Sequence, residues 1–401
     1  MKRALIVVVL FALGWAGVRG FRRWHTRDLP SANAPRAWDA AAAARYLDSR
    51  VSWWQSWPDA RREQGTVCIS CHTVLPYALA RPALRETLDE KGRAPQENLM
   101  LTSVEKRVAD WKRMAPYYTD AVYGPGMSAD SRATESVLNA IVLARYKASP
   151  GGEGAQETGA ALDDAWALEK KSGDDAGGWG WQDFHLAPWE APESAYQGAA
   201  LFAVALGDLP ANYTVDKSAA EHVQRLREYL RRGYSSQPPM SQAYVLWASA
   251  RMPGLLDARE RQTLIARLGN LQMPDGGWSL VTLDRQPGIK RYLRTEWQLL
   301  AGKLPSDGCA TGLVVLALEK AGANPGSPAV RRGLTWLIQH QKPDGSWWAP
   351  SLNGLDRTDS DVSRFMDDAA TGYAVLALEA AHAKTSEPRE ADQRAMSTHG
   401  Y

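Results

Sequence analysis

Cysteine is scarce in this chain. Three residues among 401 (Cys68, Cys71 and Cys309) cannot make a disulfide framework for a protein of this length. There is no excess of either charge: 47 basic residues face 45 acidic ones, a net charge of +2. That balance leaves no basic footprint for a nucleic acid, and that class of partner is excluded. Phenylalanine is also rare, with 5 residues, whereas tryptophan reaches 17, a bias that needs a structural reason. The N-terminal uncharged run, Ala4 to Val18, is shorter than the ~20 apolar residues of a spanning helix. At 45% hydrophobic, the chain can nevertheless bury a large core.

Two of the three cysteines lie in Gly65-Thr-Val-Cys68-Ile-Ser-Cys71-His72-Thr73. A zinc ribbon needs a second Cys or His pair at similar spacing, and the sequence has none. A thioredoxin-like motif needs a βαβ setting, which the periodicity does not provide; a local disulfide remains open. Cys-x-x-Cys-His has the spacing of a c-type haem attachment site. Each thiol adds to one vinyl group of the porphyrin, and the following imidazole reaches the iron from the proximal side. One covalent haem c is therefore expected, on Cys68 and Cys71, with His72 as iron ligand.

Lys2-Arg3 followed by the run Ala4–Val18 has the length and flank of a signal peptide. Residues 1–25 are read as a signal peptide or membrane anchor, and 26–37 as a Pro-containing linker. Arg19, Arg22 and Arg23 would prefer the cytoplasm by the positive-inside rule. Haem c, however, is attached outside the bacterial inner membrane, so the haem motif sets the expected location: periplasmic, or anchored on the outer face of that membrane. Residues 383–401 are polar and read as a disordered tail.

Between these ends the sequence repeats. Leu271-Gln-Met-Pro-Asp-Gly-Gly-Trp278 and His340-Gln-Lys-Pro-Asp-Gly-Ser-Trp347 each follow an amphipathic helix, Asp257–Leu271 and Pro328–His340. Each precedes an apolar one, Asp307–Leu318 and Asp367–Leu378. A helix apolar on all sides is buried, and an amphipathic one faces water on one side. Weaker copies lie upstream. The outer segments are Trp38–Arg50, Thr102–Met114, Glu157–Lys171 and Val215–Arg232. Their inner partners are Thr73–Ala83, Thr134–Tyr146, Ser194–Leu206 and Ser241–Ala250. Trp53, Trp54 and Trp57 are expected in the first loop, and Thr73 as the cap of the first inner helix. Six outer and six inner helices, each burying a face on the next unit, can close into a ring. The expected fold is all-α, a single α/α toroid over residues 38–382.

The Gln-x-Pro-Asp-Gly-x-Trp segments resemble the QW motif of the squalene cyclase and prenyltransferase superfamily. Gln272/Trp278 and Gln341/Trp347 match fully, whereas Trp54, Trp179 and Trp181 match in part. The resemblance implies an α/α barrel of six inner and six outer helices. It also implies that the motif Gln ties one outer helix to the next, that the Trp stacks on the turn, and that one barrel end opens into a substrate cavity. Asp367-Asp368 resembles the end of the Asp-x-Asp-Asp acid of squalene–hopene cyclases, but Phe365 stands at its first position. The pair is therefore a weak catalytic candidate beside its plainer role as a helix cap.

For a sixth iron ligand the loop ends offer His185, Met127, Met240 and Met366, with an open or water-ligated iron as the alternative. Arg81 and Arg85 are candidates for a haem propionate. Arg132 and Glu135 are candidates for pairing with each other or with a propionate. The functional expectation is an extracytoplasmic c-type haem protein active in electron transfer or redox chemistry. Its partner is a redox protein or an apolar small molecule such as an isoprenoid. The alternatives are a terpenoid cyclase-like or isoprenoid-binding protein with accessory haem, and a protein-binding repeat scaffold. Whether the chain is an enzyme is left open.

Overall fold

The structure is a computed structural model that describes residues 37–147, 154–209, 217–284, 305–324, 326–353 and 360–386. The readings for residues 1–25 and for nearly all of 26–37 lie outside these residues. Contacts divide the chain after Ala37, and the unit from Trp38 onward carries everything below.

Twelve long helices occur among the described residues, with no strand. In chain order they are α1 Ala40–Ser56, α2 Val74–Thr87, α3 Pro95–Ala109, α4 Met127–Lys147, α5 Ala155–Ala167 and α6 Ser194–Leu206. They continue as α7 Lys217–Gly233, α8 Pro239–Ser249, α9 Ala258–Gly269, α10 Gly308–Lys320, α11 Pro328–Gln339 and α12 Phe365–Ser386. The even-numbered helices are the apolar ones. All of Pro239–Ser249 in α8 is buried, whereas α9 buries only Leu264 and Leu268.

The even-numbered helices pack in order, α2 on α4, α4 on α6, α6 on α8, α8 on α10, α10 on α12, and α12 back on α2. Odd-numbered helices lie against them, α1 on both α2 and α12, α11 on both α10 and α12. Small residues let the inner helices approach. A Cβ on Gly312 would sit 2.5 Å from the α12 backbone, and one on Gly372 would sit 2.5 Å from Pro76. No described helix is long and apolar enough to cross a membrane.

The two repeat motifs have matching geometry. The Trp278 indole donates to Leu268 O and its backbone N–H to Thr311 Oγ1. Trp347 does the same to Leu337 O and Thr371 Oγ1. Both rings are fully buried, which accounts for part of the tryptophan bias. Gln272 Nε2 donates to Gly276 O and to Ala329 O at the start of α11. Gln341 Nε2 donates to Gly345 O and to Asp39 O, the residue that caps α1. The sixth repeat is thus tied to the first.

Several sequence expectations are corrected. Trp53 and Trp54 lie within α1, which runs six residues past Arg50, to Ser56. Helix α3 begins at Pro95, where a proline at the first position costs no hydrogen bond. Thr73 precedes α2 but does not cap it with its side chain. Ser70 Oγ accepts the Thr73 and Val74 N–H groups instead. Helix α12 continues to Ser386, past the expected bound at 382, and the remainder of the expected tail, 387–401, lies outside the described residues.

Candidate functional site

The Cys-x-x-Cys-His segment ends a loop that joins α1 to α2. The loop folds back on itself through a bridge between Arg61 and Val67 and two short 3₁₀ turns, Pro58–Ala60 and Glu63–Gly65. Its anchors come from both flanking layers. The Trp54 indole donates to Cys68 O at 2.8 Å, and Cys68 N donates to Ala60 O at 3.0 Å. From α3, Ser103 Oγ accepts Val67 N–H at 2.9 Å, and Arg107 reaches Thr66 Oγ1 at 3.1 Å. Arg107 is itself held by Glu135 of α4 in a pair whose side chains are 1% and 0% exposed.

Cys68 and Cys71 are buried and are not joined to each other. Burial pushes the Cys68 thiol up to about 11, against the pull of Arg62, and holds Cys71 well above its ordinary value. Both thiols are therefore protonated at neutral pH, and Tyr118 hydrogen-bonds to that of Cys68.

His72 is wedged between aromatic rings. Phe365 stacks on it with centroids 3.8 Å apart, and Trp54 meets it edge-on at 5.2 Å. Its Nδ1 lies 2.9 Å from Thr73 Oγ1. Thr73 has a single hydroxyl proton, which it donates to Asp368 Oδ2 at 2.7 Å. Thr73 Oγ1 must then accept from His72, so Nδ1 carries the imidazole proton and Nε2 holds the lone pair. Burial, followed by the charge of Arg50, lowers the His72 pKa to about 3 and keeps the ring neutral. Asp368 also accepts from Tyr46 OH at 2.9 Å and Arg50 Nε at 2.7 Å.

The other expected site residues fall as follows. Asp367 accepts Ala349 N–H and pairs with Lys342 at 2.9 Å, as Asp307 of the preceding repeat accepts the N–H groups of Leu280 and Ala310. Asp367 and Asp368 are thus both engaged in holding loops and helix starts. Arg81 is bound by Asp48 and Glu90, and Arg85 by Glu97. They lie about 13 and 20 Å along the helical rise from His72, so the propionate reading for them is withdrawn. Arg132 is held over Trp111 at 4.4 Å and lies 3.7 Å from Glu135, which Arg107 engages more closely.

His185 is exposed on a loop, in a left-handed conformation, with Nδ1 3.2 Å from Asp183. Met127 begins α4 and is half-buried. Met240 is buried in the first turn of α8, three inner helices from α2 in either direction around the packing order. Met366 is buried beside Phe365.

Two residues near the cysteines were not singled out by sequence. Arg62 acts electrostatically on Cys68, and its Nε has no hydrogen-bond partner among the described residues. Glu190 lies on the loop before α6, closed by a bridge to Leu186, and its charge bears on both Cys68 and Cys71. Burial raises its carboxyl from the ordinary 4.5 to about 7, against a hydrogen bond from Gln182. The only sequence signal for Glu190 is its place just before the third inner helix.

Glu190 makes a pH prediction. Between about pH 4.5 and 7 the folded chain keeps a proton that the unfolded chain releases, so stability falls as pH rises through that window. The total is up to about 3 kcal/mol. Glu190→Gln should flatten this part of the profile, read as urea unfolding free energy at pH 4.5 and 7.5. An unchanged difference between the two pH values would contradict the placement of Glu190.

A cavity of about 540 Å³ lies elsewhere, lined by the C-terminal parts of all six inner helices. Leu79, Val204, Trp247 and Leu316 form apolar wall, with Arg145, Arg251 and Glu379 among the charged lining. His72 stands at the N-terminal end of α2, so the cavity is at the opposite helix end. The expectation places a cavity at the helix starts, and this one lies at the other end.

No known protein family matches the chain, and no curated protein matches it. Among solved structures it is similar to a glycosidase variant, at 13% identity and a TM-score of 0.47, over 85% of this chain and 97% of that one.

Proposed function

We propose that this chain is a c-type haem protein, active in electron transfer or redox chemistry outside the cytoplasm, built on a six-hairpin α/α toroid. The observation that carries the reading is the state of the motif. Two unpaired thiols stand three residues apart, beside an imidazole whose Nδ1 proton is committed and whose Nε2 has no partner among the described residues. That donor set fits a haem bound through two thioethers and one histidine. Cys68 and Cys71 would hold the porphyrin, His72 the iron, and Arg62 a propionate, in place of Arg81 and Arg85. Bound haem supplies one-electron chemistry at the iron. The cyclic packing of the inner helices and the Gln341–Asp39 tie support the toroid.

The cyclase alternative loses ground, because Asp367 and Asp368 are occupied by structural partners and neither is free to protonate an alkene. The isoprenoid alternative loses ground as well, since the one cavity described above carries charged side chains from several helices. A redox partner protein is the partner proposed.

The test is haem-stained electrophoresis of membrane and periplasmic fractions, with reduced-minus-oxidised spectra taken with and without carbon monoxide. A covalent haem band is expected, and it should vanish in Cys68→Ser/Cys71→Ser. A normal haem spectrum surviving in that double variant would overturn the assignment. A carbon monoxide shift would mark an open sixth position; its absence would mark a filled one, and Met127→Ala and His185→Ala then identify the ligand.

A further inference from the structure

We propose that Thr73 and Asp368 are positioning residues that fix His72 and strengthen it as an electron donor through Nε2, an inference that rests on the haem reading above. The geometry is a buried relay. His72 Nδ1–H donates to Thr73 Oγ1 at 2.9 Å, and the Thr73 hydroxyl donates to Asp368 Oδ2 at 2.7 Å. Thr73 and Asp368 are 1% and 0% exposed.

Two features separate this relay from ordinary loop packing. First, the Thr73 hydroxyl stands where a helix cap is expected, yet the cap is made by Ser70. The hydroxyl is left for the histidine. Second, every group on Asp368 is a donor: Thr73 Oγ1 on Oδ2, and Tyr46 OH and Arg50 Nε on Oδ1. Burial raises the Asp368 carboxyl, and the hydrogen bond and charge of Arg50, an obligate donor, pull it back toward the ionised acceptor form. The buried Arg50 offsets the charge at 2.7 Å, and Asp361 in turn holds Arg50 Nη1 at 2.7 Å.

The chemical consequence follows from cooperativity. A carboxylate drawing on the Thr73 proton makes Oγ1 a stronger acceptor for Nδ1–H. Electron density moves toward Nε2, and the ring's orientation and tautomer are held. A more basic His72 Nε2 would favour ferric over ferrous iron in a bound haem and so lower its reduction potential. Phe365 and Trp54 keep the ring from turning away. The relay joins two residues 295 positions apart, so it also couples the first repeat to the last.

The test compares the haem-loaded protein with Thr73→Val, Thr73→Ser and Asp368→Asn, by spectroelectrochemical titration. Thr73→Val keeps the shape of the side chain and removes the acceptor. It should shift the ferric-to-ferrous ratio at fixed potential about tenfold toward ferrous, a rise of about 59 mV for one electron. Thr73→Ser should stay close to the parent, and Asp368→Asn should move in the same direction as Thr73→Val. Thr73→Val should also lose some thermal stability, because His72 Nδ1–H and Asp368 Oδ2 are left buried without a partner; the shifted potential, which a purely structural loss would not produce, is the deciding readout.

A measurement on the parent alone keeps the proposal exposed if a variant fails to fold. The His72 Nδ1–H should give a slowly exchanging proton resonance, and its absence overturns the relay. So does an unmoved potential in Thr73→Val that still carries covalent haem. A parent without covalent haem overturns the haem reading itself, and the relay's role with it.

Discussion

Glu135→Ala is expected to lower the unfolding free energy by about 3–5 kcal/mol, because it leaves the Arg107 guanidinium buried without its counter-charge. Arg107 Nη2 reaches Glu135 Oε2 at 3.1 Å and Ala115 O at 2.7 Å, while Nη1 reaches Thr66 Oγ1 at 3.1 Å. The same guanidinium lies 4.5 Å from the Tyr117 ring. Thr66 is two residues before Cys68, so the loss should also loosen the loop that carries Cys68 and, on the proposed haem reading, reduce the haem-to-protein absorbance ratio. The control is Arg107→Met combined with Glu135→Leu. A buried pair replaced by apolar groups of similar volume is often close to neutral, so the double variant should recover most of the stability without restoring the Thr66 anchor. Urea unfolding separates the two effects. A loss below about 1 kcal/mol in Glu135→Ala would show that the pair is wet or broken in solution, since exposed pairs contribute only that much.

The helices were legible because burial writes itself into local periodicity. Ser194–Leu206 is read from sequence with the bounds the structure shows, since nearly every residue of α6 is apolar and buried. The start of α3 was misplaced because Pro-Gln-Glu-Asn in its first turn has little apolar pattern, although Ala94 N–H does donate to Glu97. The sequence places Trp53 and Trp54 in a loop, with Trp54 a partial match to the repeat motif. Helix α1 keeps them because Trp54 is buried against Cys68 O and Phe365 while Trp53 packs under Arg50.

The motif Cys68-x-x-Cys71-His72 was legible for the same local reason, its residues being adjacent. What surrounds it was not. Asp368 belongs to the last inner helix and Arg107 to the second outer one, and no spacing rule connects either to His72. Thr73 misled for a subtler reason. Its residue type and position suit a cap, and only the position of Ser70 shows that the role is taken. Arg81 and Arg85 follow the motif in sequence, but a helix carries its residues away at about 1.5 Å each. Arg62 lies before the motif and folds back to it through the Arg61–Val67 bridge.

Gly345→Ala is expected to cost about 3–5 kcal/mol, whereas Gly322→Ala should cost about 1–2 kcal/mol. The two glycines have nearly the same left-handed conformation, with φ of 90° and 87°. An alanine therefore meets a similar backbone penalty at both. They differ in what lies beside them. A Cβ on Gly322 meets nothing within 4 Å, but one on Gly345 would sit 2.2 Å from the backbone carbonyl carbon of Ala42, in the first turn of α1. That contact exists only because the last repeat meets the first, where Gln341 also bonds to Asp39. The difference between the two variants therefore measures closure of the helical ring, with backbone strain cancelled. Equal losses in thermal or urea unfolding would mean that the seam is open in solution. The Thr73–Asp368 contact crosses the same seam, so an open seam would leave His72 without its relay. On the proposed haem reading, Gly345→Ala should for that reason raise the reduction potential as Thr73→Val does, while Gly322→Ala should leave it unmoved.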